Sequence, residues 1–362
     1  MADDLPAVCS LYERTARSGS SRHPAALEGY FERTFLNHPW VDGAVPSFVH
    51  EDRRNGIVGF LGSHVRRVRL DGRPLRTVYS GPLVAAPDSP GSGALLTRRL
   101  LSGPQDLTLS DGATEYMRRI WTGLGGDTAV ASSISWTKVL RPAAAATFLT
   151  DRVERRGLTR TLRAIGPTAD EISRRVLRRV LNGLPQRPDS IAEALTPDLL
   201  LAQVAHAHPR PRIHLDYDHE FLAWLFDLLQ VAGTNPCMNL VRDPTGDPLG
   251  WYVYDLSAAG VAQVLQIGAP SGRLSEVLEH LFWHADSQRA SAVIGRLEPA
   301  LFGTLRKYRC LLVETGLYSL VHTHDTSLLG LIGTARAFLS TLDGAGWMRH
   351  NRVYSHTQPV AL

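Results

Sequence analysis

One order of helical and strand patterns occurs twice along this chain, and the repeat constrains the fold more than any other feature of the sequence. Each half has a helical pattern, a hairpin of two strands, a strand that leads through a loop into a helix, and then a further strand and helix. The hairpin turn is clear in the first half, where Asp71-Gly72 separates two strand patterns. Antiparallel hairpins followed by a strand–loop–helix crossover predict an α/β (α+β) fold, with a mixed, mostly antiparallel sheet flanked by helices in each half.

The length of 362 residues favours two domains over one. We expect an N-terminal domain at residues 1–141 and a C-terminal domain at residues 213–362. Residues 142–212 differ from both, because they are rich in arginine and interrupted by glycine and proline. We interpret this segment as a connection that carries one or two helices, among them an amphipathic helix at 171–181 with apolar residues at helical spacing between arginine pairs.

The composition narrows the class of protein. A hydrophobic content of 44% and a charged content of 20% are those of an ordinary globular protein. The formal net charge of +4 suits an anionic ligand but is too small for a dedicated DNA-binding protein. Cys9, Cys237 and Cys310 form no CxxC pair, which argues against a disulfide framework or a zinc site. We find no signal-peptide pattern and no apolar run as long as a membrane helix, so we expect a cytoplasmic protein without a membrane span.

The stretch at residues 79–96 carries the strongest indication of a ligand site. A predicted strand ends in a loop punctuated by proline, which contains Gly91 and Gly93, and a helix follows. Glycine lets the backbone approach a ligand closely, and the first N–H groups of a helix favour phosphate. The pattern therefore indicates a pyrophosphate cradle, with a plain turn between strand and helix as the competing interpretation.

This stretch resembles the GNAT (general N-acetyltransferase) superfamily, whose members have a V-x-P strand end, an R-G-x-G-x-G loop and a helix that opens with small residues. Pro87, Gly91, Gly93 and Leu96 match this pattern, whereas Ala85 replaces the valine, Pro90 the arginine and Leu95 the last glycine. The resemblance covers residues 5–140, and residues 214–350 more faintly. We therefore expect two GNAT-like domains, the first holding the cofactor and the second degenerate.

The resemblance implies a pantetheine thioester as cofactor: acyl-CoA or coenzyme A used as co-substrate, or the phosphopantetheine of an acyl carrier protein, without a metal. The pantetheine arm would fill a gap between two splayed strands, and backbone N–H groups near Val84 and Ala86 would bind the thioester carbonyl. The full set of implied cofactor-binding residues is Val84, Ala86, Gly91, Ser92, Gly93, Ala94 and Asp111. Asp111 stands where the family commonly has Asn, and Trp121 where many members have the Tyr that protonates the departing thiolate.

The resemblance also implies direct attack of a free amine on the thioester, without a covalent enzyme intermediate. The general base is not marked by a motif. Tyr79 and Ser80 lie on the strand that usually supplies it, and Glu314 and His324 belong to a polar cluster late in the second half. For each of these four candidates the competing interpretation is an ordinary strand-end or surface polar residue.

Two histidine patterns are better explained by structure than by metal binding. His280 and His284 are four residues apart on a predicted helix, but Leu281 stands where an HExxH zinc motif needs glutamate. His322 and His324 with Asp325 lack a further ligand cluster. The sequence also lacks the GxSxG elbow of serine hydrolases and the phosphate-binding loop of nucleotide triphosphatases.

The sequence thus predicts a bacterial-type N-acyltransferase that modifies a primary amine of a small metabolite or a peptide. Two alternatives remain open: a non-catalytic GNAT-like protein that binds a ligand or partner, and an aminoacyl-tRNA-dependent transferase with RNA binding through the basic connection. The helix at 171–181 also has three interpretations, namely a solvated linker, a docking surface for an acidic acyl carrier protein, and a helix lying on a membrane surface. The oligomeric state is not predicted.

Overall fold

The computed structural model describes residues 3–16, 24–141, 185–206, 212–231 and 236–348. The helix expected at 171–181 lies outside the described residues, as does most of the connection at 142–212. By its contacts the chain divides into two compact units. The first comprises Met1–Ser133, Pro211–Trp224 and Gly316–Thr357, and the second comprises Ile134–Arg210, Leu225–Thr315 and Gln358–Leu362.

The described α-helices and strands follow the predicted order closely. The helices are α1 (Leu5–Ala16), α2 (Pro24–Phe31), α3 (Ser92–Leu101), α4 (Glu115–Gly123), α5 (Pro197–His206), α6 (His219–Val231), α7 (Leu274–Ser287), α8 (Phe302–Lys307) and α9 (Thr326–Ile332). The strands are β1 (Phe48–Asp52), β2 (Gly56–Leu70), β3 (Arg73–Ala85), β4 (Leu107–Ala113), β5 (Asp127–Thr128), β6 (Ile134–Val139), β7 (Ile191–Ala194), β8 (Ile213–Leu215), β9 (Pro236–Arg242), β10 (Pro248–Leu256), β11 (Val261–Gly268), β12 (Ala292–Arg296), β13 (Leu311–Glu314), β14 (Tyr318–His322) and β15 (Ala337–Phe338).

The first unit is built on a mixed sheet with strand order β15-β8-β2-β3-β4-β14-β5, to which β1 adds beside β2. Only the β3–β4 and β15–β8 pairs are parallel. The hairpin of β2 and β3 turns at Asp71-Gly72, as predicted, with both residues at positive φ. A mixed sheet of mainly antiparallel strands buries its apolar side chains where helices pack on its faces.

Helices cover both faces of this sheet. On one face, Val65 and Val78 pack with Leu96 and Leu100 of α3 in a closed apolar cluster. On the other face, aromatic rings dominate, and Phe35 lies 5.3 Å from Phe60 between ring centroids. The first unit therefore holds its β3–β4 pair rigidly from both sides.

The second unit is built on a sheet with strand order β13-β6-β12-β11-β10-β9-β7, in which only β11 and β12 are parallel. Its core lies between this sheet and α7, where Trp136, Val277 and Phe282 are almost fully buried. The prediction of a mixed, mostly antiparallel sheet flanked by helices is confirmed for both units.

Two strands pair in the sheet whose other strands come mainly from the opposite half of the sequence. Residues 134–139, expected to close the first sheet, form β6 and pair with β12 and β13 in the second sheet. Residues 318–322, expected in the second domain, form β14 and pair with β4 and β5 in the first sheet. The contact units therefore do not follow the expected boundaries at 141 and 213, because strand pairing between distant segments decides the membership of each sheet. Among the described helices, none is long and apolar enough to cross a membrane.

Candidate functional site

The parallel pair β3–β4 separates into a V in the middle of the first sheet. Pairing joins Thr77 to Leu107 and continues only to Tyr79 and Leu109, although both strands run on beyond these residues. The hydroxyl of Ser110 donates to the carbonyl of Ser80 at 3.3 Å and marks the vertex. Beyond the vertex lies a cleft of about 290 Å³, here called the β3–β4 cleft.

A bulge on each strand accompanies the separation. On β3, the two residues Gly81 and Pro82 stand opposite the single Gly62 of β2. On β4, Asp111 and Gly112 stand opposite the single Ser319 of β14. Because a bulge bends its strand and re-aims the adjacent side chains, the two bulges turn β3 and β4 away from each other at the same level of the sheet.

The register of β3 with β2 fixes which N–H groups face the cleft. The N–H of Ala86 donates to Val58 on β2 at 2.8 Å, and in an antiparallel ladder the same direction holds for every second residue, hence for Val84. The N–H groups of Leu83 and Ala85 therefore point away from β2, toward the separated β4. The N–H groups of Val84 and Ala86 themselves, which were predicted to lie near a thioester carbonyl, therefore face β2, and the cleft is lined instead by the neighbouring Leu83 and Ala85.

The loop after β3 brings the N-terminus of α3 to the cleft. Gly93 lines the cleft, and a Cβ there would meet only Leu83, at 3.5 Å. Leu95 is bonded back to Gly91, so the N–H groups of Gly93 and Ala94 belong to the first turn, where a helix lacks intrahelical acceptors. An anion at this end of the cleft would meet the N–H of Gly93 and the positive end of the helix dipole.

The remaining predicted loop residues do not reach the cleft. The hydroxyl of Ser92 is buried and hydrogen-bonded to Nδ1 of His50 at 2.7 Å and to Oγ of Ser89 at 2.6 Å. Gly91 is exposed at the N-cap of α3, and neither Gly91 nor Ala94 lines the cleft. The side chain of Ser92 therefore positions the loop against β1.

Helix α4 forms another wall of the cleft. Thr114 caps this helix by accepting from the N–H of Met117 at 3.4 Å, and the phenol of Tyr116 in the first turn is 61% exposed and lines the cleft. The neighbouring Glu115 has its pKa lowered to about 2, chiefly by its hydrogen bond with Arg118. Glu115 therefore stays ionised at neutral pH.

Trp121 has a structural role in this wall. Its buried indole N–H donates to the carbonyl of Val321 on β14 at 2.9 Å. Gly126 lies directly against the ring, where no side chain would fit. Trp121 offers no hydroxyl, whereas Tyr116 does. The sequence analysis did not identify Tyr116 as a candidate. Its position in the first turn of a helix capped by Thr114 was nevertheless a signal that it lies at the strand–helix junction.

The four predicted catalytic candidates are not brought together. Ser80 lines the cleft, and Tyr79 is almost fully buried on the same strand but does not line it. His324 is exposed in the loop after β14 and lies outside the cleft lining. Glu314 is exposed on the edge strand β13 of the second unit. The last two are therefore corrected to surface residues, because the polar cluster to which they belong is divided between the two units.

Asp111, predicted as a cofactor-facing residue, is among the residues that line the cleft, and we call the part of the cleft beside it the inner end. Residues 340–348 pass over this end, and Gly346 also lines the cleft. The segment is held to the sheet by Arg66, whose Nε donates to the carbonyl of Asp343. Within the described ranges, no group of three or more His, Cys, Asp or Glu side chains is placed to hold a metal ion.

The parallel pair of the second unit, β11–β12, has a tryptophan ring against a glycine near the end of each strand. The ring of Trp251 on β10 lies against Gly268 of β11, and the ring of Trp136 on β6 lies against Gly295 of β12. The indole N–H of Trp251 donates to the side chain of Gln266, and that of Trp136 donates to the carbonyl of Arg296. In each case a ring from the neighbouring strand takes the space that a side chain at the glycine would need.

A splayed parallel pair, a glycine-containing loop and a helix N-terminus at the cleft define the GNAT fold, and solved structures of this superfamily match most of the chain. A probable N-acyltransferase from Enterococcus faecalis V583, a conserved protein of unknown function, aligns with a TM-score of 0.55 and 9% identity over 92% of this chain and 72% of its own. A GCN5-related N-acetyltransferase from Anabaena variabilis aligns with a TM-score of 0.53 and 12% identity, over 90% and 71% of the two chains. Eis1 from Mycobacterium abscessus aligns with a TM-score of 0.50 and 12% identity, over 91% and 73%.

The chain therefore has the fold of the GNAT superfamily, as its sequence pattern predicted. No protein-family model matches the sequence, and no curated protein matches it.

Proposed function

We propose that the chain is an N-acyltransferase that moves an acyl group from a pantetheine thioester to a primary amine. The observation that carries the proposal is the β3–β4 cleft, into which the N–H groups of Leu83 and Ala85 point. An extended pantetheine arm has amide groups that can pair with these N–H groups as an added strand would. The fold shared with N-acetyltransferases supports the same conclusion.

The donor would lie with its phosphates toward Gly93 at the N-terminus of α3 and its thioester toward the vertex. A backbone N–H that is fixed by strand pairing is a preorganised donor for the oxyanion formed when the carbonyl is attacked. The nitrogen of the free amine bonds to the carbonyl carbon, the carbon–sulfur bond then breaks, and the nitrogen loses one proton to water. The departing thiolate takes a proton, for which Tyr116 is the phenol that lines the cleft.

The first unit is the proposed donor site, because the β3–β4 cleft, with the N-terminus of α3 at one end, lies there. The same geometry indicates only the class of the donor, a thioester that carries a pantetheine arm. Coenzyme A and the phosphopantetheine of a carrier protein share the pantetheine arm that the cleft would hold. Either a small metabolite or a peptide would supply the amine.

Thermal shift and calorimetry with coenzyme A, acetyl-CoA and a long-chain acyl-CoA test the proposal, with ADP as the control that lacks the pantetheine arm. We expect saturable stabilisation by the three coenzyme A compounds that exceeds that by ADP, because a ligand that binds only the folded state raises the melting temperature. Stabilisation by an acylated carrier protein alone would identify that donor. A response to none of these compounds would contradict the proposal.

A further inference from the structure

His50 on β1 is tied by two hydrogen bonds in series to the loop that precedes α3. Its Nδ1 lies 2.7 Å from Oγ of Ser92, the first residue of the helix, and Oγ of Ser92 lies 2.6 Å from Oγ of Ser89 in the loop. Ser92 is almost fully buried, whereas His50 and Ser89 are half-buried. A side chain of a neighbouring strand is therefore connected to both ends of the turn at residues 89–92.

The sheet brings this histidine to the helix along one row of paired residues. His50 of β1 stands opposite Gly59 of β2, and Gly59 stands opposite Ala85 of β3, which lines the β3–β4 cleft. A Cβ at Gly59 would lie 3.0 Å from Leu96, 3.1 Å from Ser92 and 3.3 Å from His50. Glycine at this position therefore lets α3 lie close to the sheet, with His50 beside it on the same face.

The loop between β3 and α3 is held at each end by a different strand. The N–H of Ala86 donates to the carbonyl of Val58 on β2 at 2.8 Å, which holds the first residue of the loop. Within the loop, Ser89 donates its N–H to Ala86 and Ser92 donates its N–H to Ser89, so the loop consists of two successive turns. The hydrogen bond between His50 and Ser92 holds the other end, where the helix begins.

The position of Ser92 determines where the next N–H group points. Gly93 follows Ser92 directly and lines the cleft. A hydrogen bond weakens steeply as its angle at the hydrogen falls, so an N–H group binds a phosphate oxygen well only when it is oriented toward it. A small movement of Ser92 would therefore turn the N–H of Gly93 and the first turn of α3 away from an anion in the cleft.

We propose that His50 is a positioning residue for the donor, which through Ser92 orients the N–H of Gly93 toward the phosphate at the end of the pantetheine arm. This inference rests on the proposed donor site. His50 then governs the preference for a phosphorylated over an unphosphorylated arm, and not the affinity for the arm itself, which meets Leu83 and Ala85. The same phosphate is present in coenzyme A and in carrier-protein donors.

Calorimetry with 4′-phosphopantetheine and with pantetheine measures this preference, because the two ligands differ by one phosphate. His50→Phe keeps a ring but removes its nitrogens, and we expect it to weaken the binding of 4′-phosphopantetheine about tenfold and that of pantetheine less than about twofold. His50→Asn, whose amide can bond to Ser92 from near the Nδ1 position, should return the first affinity to within about threefold of the wild type. His324→Phe, at an exposed loop position, should change neither affinity.

Ser92→Ala removes the other partner of the same hydrogen bond. We expect the same selective loss for 4′-phosphopantetheine, and a double variant with His50→Phe that binds this ligand no more weakly than either single variant, because both changes break one connection. The matched control is Ser102→Ala at the opposite end of α3, where the hydroxyl donates to the carbonyl of Arg99 at 3.0 Å. This control should leave both affinities unchanged.

The two ligands also separate this inference from the proposed donor site. A phosphate preference that falls in both His50→Phe and Ser92→Ala, without additivity, supports the inference. Equal losses for both ligands, additive losses or an unchanged preference overturn it while leaving the donor site in place, and so does a wild-type protein that binds the two ligands equally well. A wild-type protein that binds neither ligand contradicts the proposed donor site and the inference with it.

Discussion

Arg66 donates its Nε hydrogen to the main-chain carbonyl of Asp343, 277 positions further along the chain, at 2.7 Å. Both residues are fully buried, and Arg66 also lies over the ring of Phe221, with 5.2 Å between its guanidinium carbon and the ring centroid. A guanidinium without water around it is stable only where carbonyls, carboxylates and aromatic faces replace that water. This contact therefore fixes the segment that covers the inner end of the cleft.

Replacing Arg66 with methionine should lower the free energy of unfolding by about 1–3 kcal/mol, because it leaves the buried carbonyl of Asp343 without its donor. The matched control is Arg69→Met on the same strand. Arg69 pairs with Asp216 at 2.7 Å, but both side chains are well exposed, so the loss should stay below about 1 kcal/mol. Urea unfolding of the two variants measures the difference, and equal losses would contradict the structural role given to Arg66.

Gly93→Glu should strongly weaken donor binding with little loss of stability. The new side chain starts at ordinary contact distance from Leu83 and extends into the β3–β4 cleft, where it adds bulk and negative charge. Gly330→Glu is the control, since Gly330 is an exposed helical glycine with open space around it. Calorimetry with acetyl-CoA should show at least a 100-fold weaker affinity for the first variant, about 2.7 kcal/mol, and no change for the second.

Tyr116→Phe should lower kcat by about 100-fold at unchanged melting temperature, because it removes the hydroxyl proposed to protonate the thiolate. Trp121→Phe should instead lower the melting temperature and leave kcat unchanged. It leaves the buried carbonyl of Val321 without its donor and should cost about 1–3 kcal/mol of stability. Steady-state rates and thermal unfolding of both variants check the pair. A kinetic loss confined to the Trp121 variant would reverse the assignment.

The stability of the second unit should depend on pH through His280. This imidazole is almost fully buried and bonded to the Tyr252 hydroxyl at 3.0 Å, and burial, with help from His284, lowers its pKa to about 4. The unfolded chain therefore binds a proton between pH 6.5 and about 4 that the folded chain does not. Stability should be complete above that window and fall as pH is lowered through it, by at most about 1.4 kcal/mol per unit.

Urea unfolding at pH 5 and pH 7 measures this slope. His280→Asn should flatten it, and His324→Asn, at an exposed loop position, should keep it. A slope unchanged in the His280 variant would show that other groups cause the dependence.

Local patterns predicted much of the fold, because the helices and strands of both units satisfy periodicity, capping and turn rules within short windows. The hairpin at Asp71-Gly72 and the strand–loop–helix around Gly93 are examples. The placement of β6 in the second sheet and of β14 in the first could not be predicted in this way. The pairing of an exposed strand edge depends on segments far away in sequence.

On β3, the strand that borders the candidate site could be predicted, but the direction of its N–H groups could not. The sequence indicated the right strand but not its register, and the direction of each N–H alternates along a strand, so Val84 was chosen where Leu83 faces the cleft. Gly344 carried no signal at all. A side chain at Gly344 would overlap the carboxylate of Asp111, and no local pattern encodes this proximity.

The placement of β14 between β4 and β5 has a consequence for how the protein can be made. On the ribosome, the outer edge of β4 stays open until Tyr318–His322 has emerged, so the first sheet is completed only after strands β9–β13 of the second sheet have been made. A gene cut after residue 141 would encode a product with an unsealed strand edge, prone to self-association, together with a β6 that has lost its partners. Each sheet therefore needs residues from both halves of the sequence.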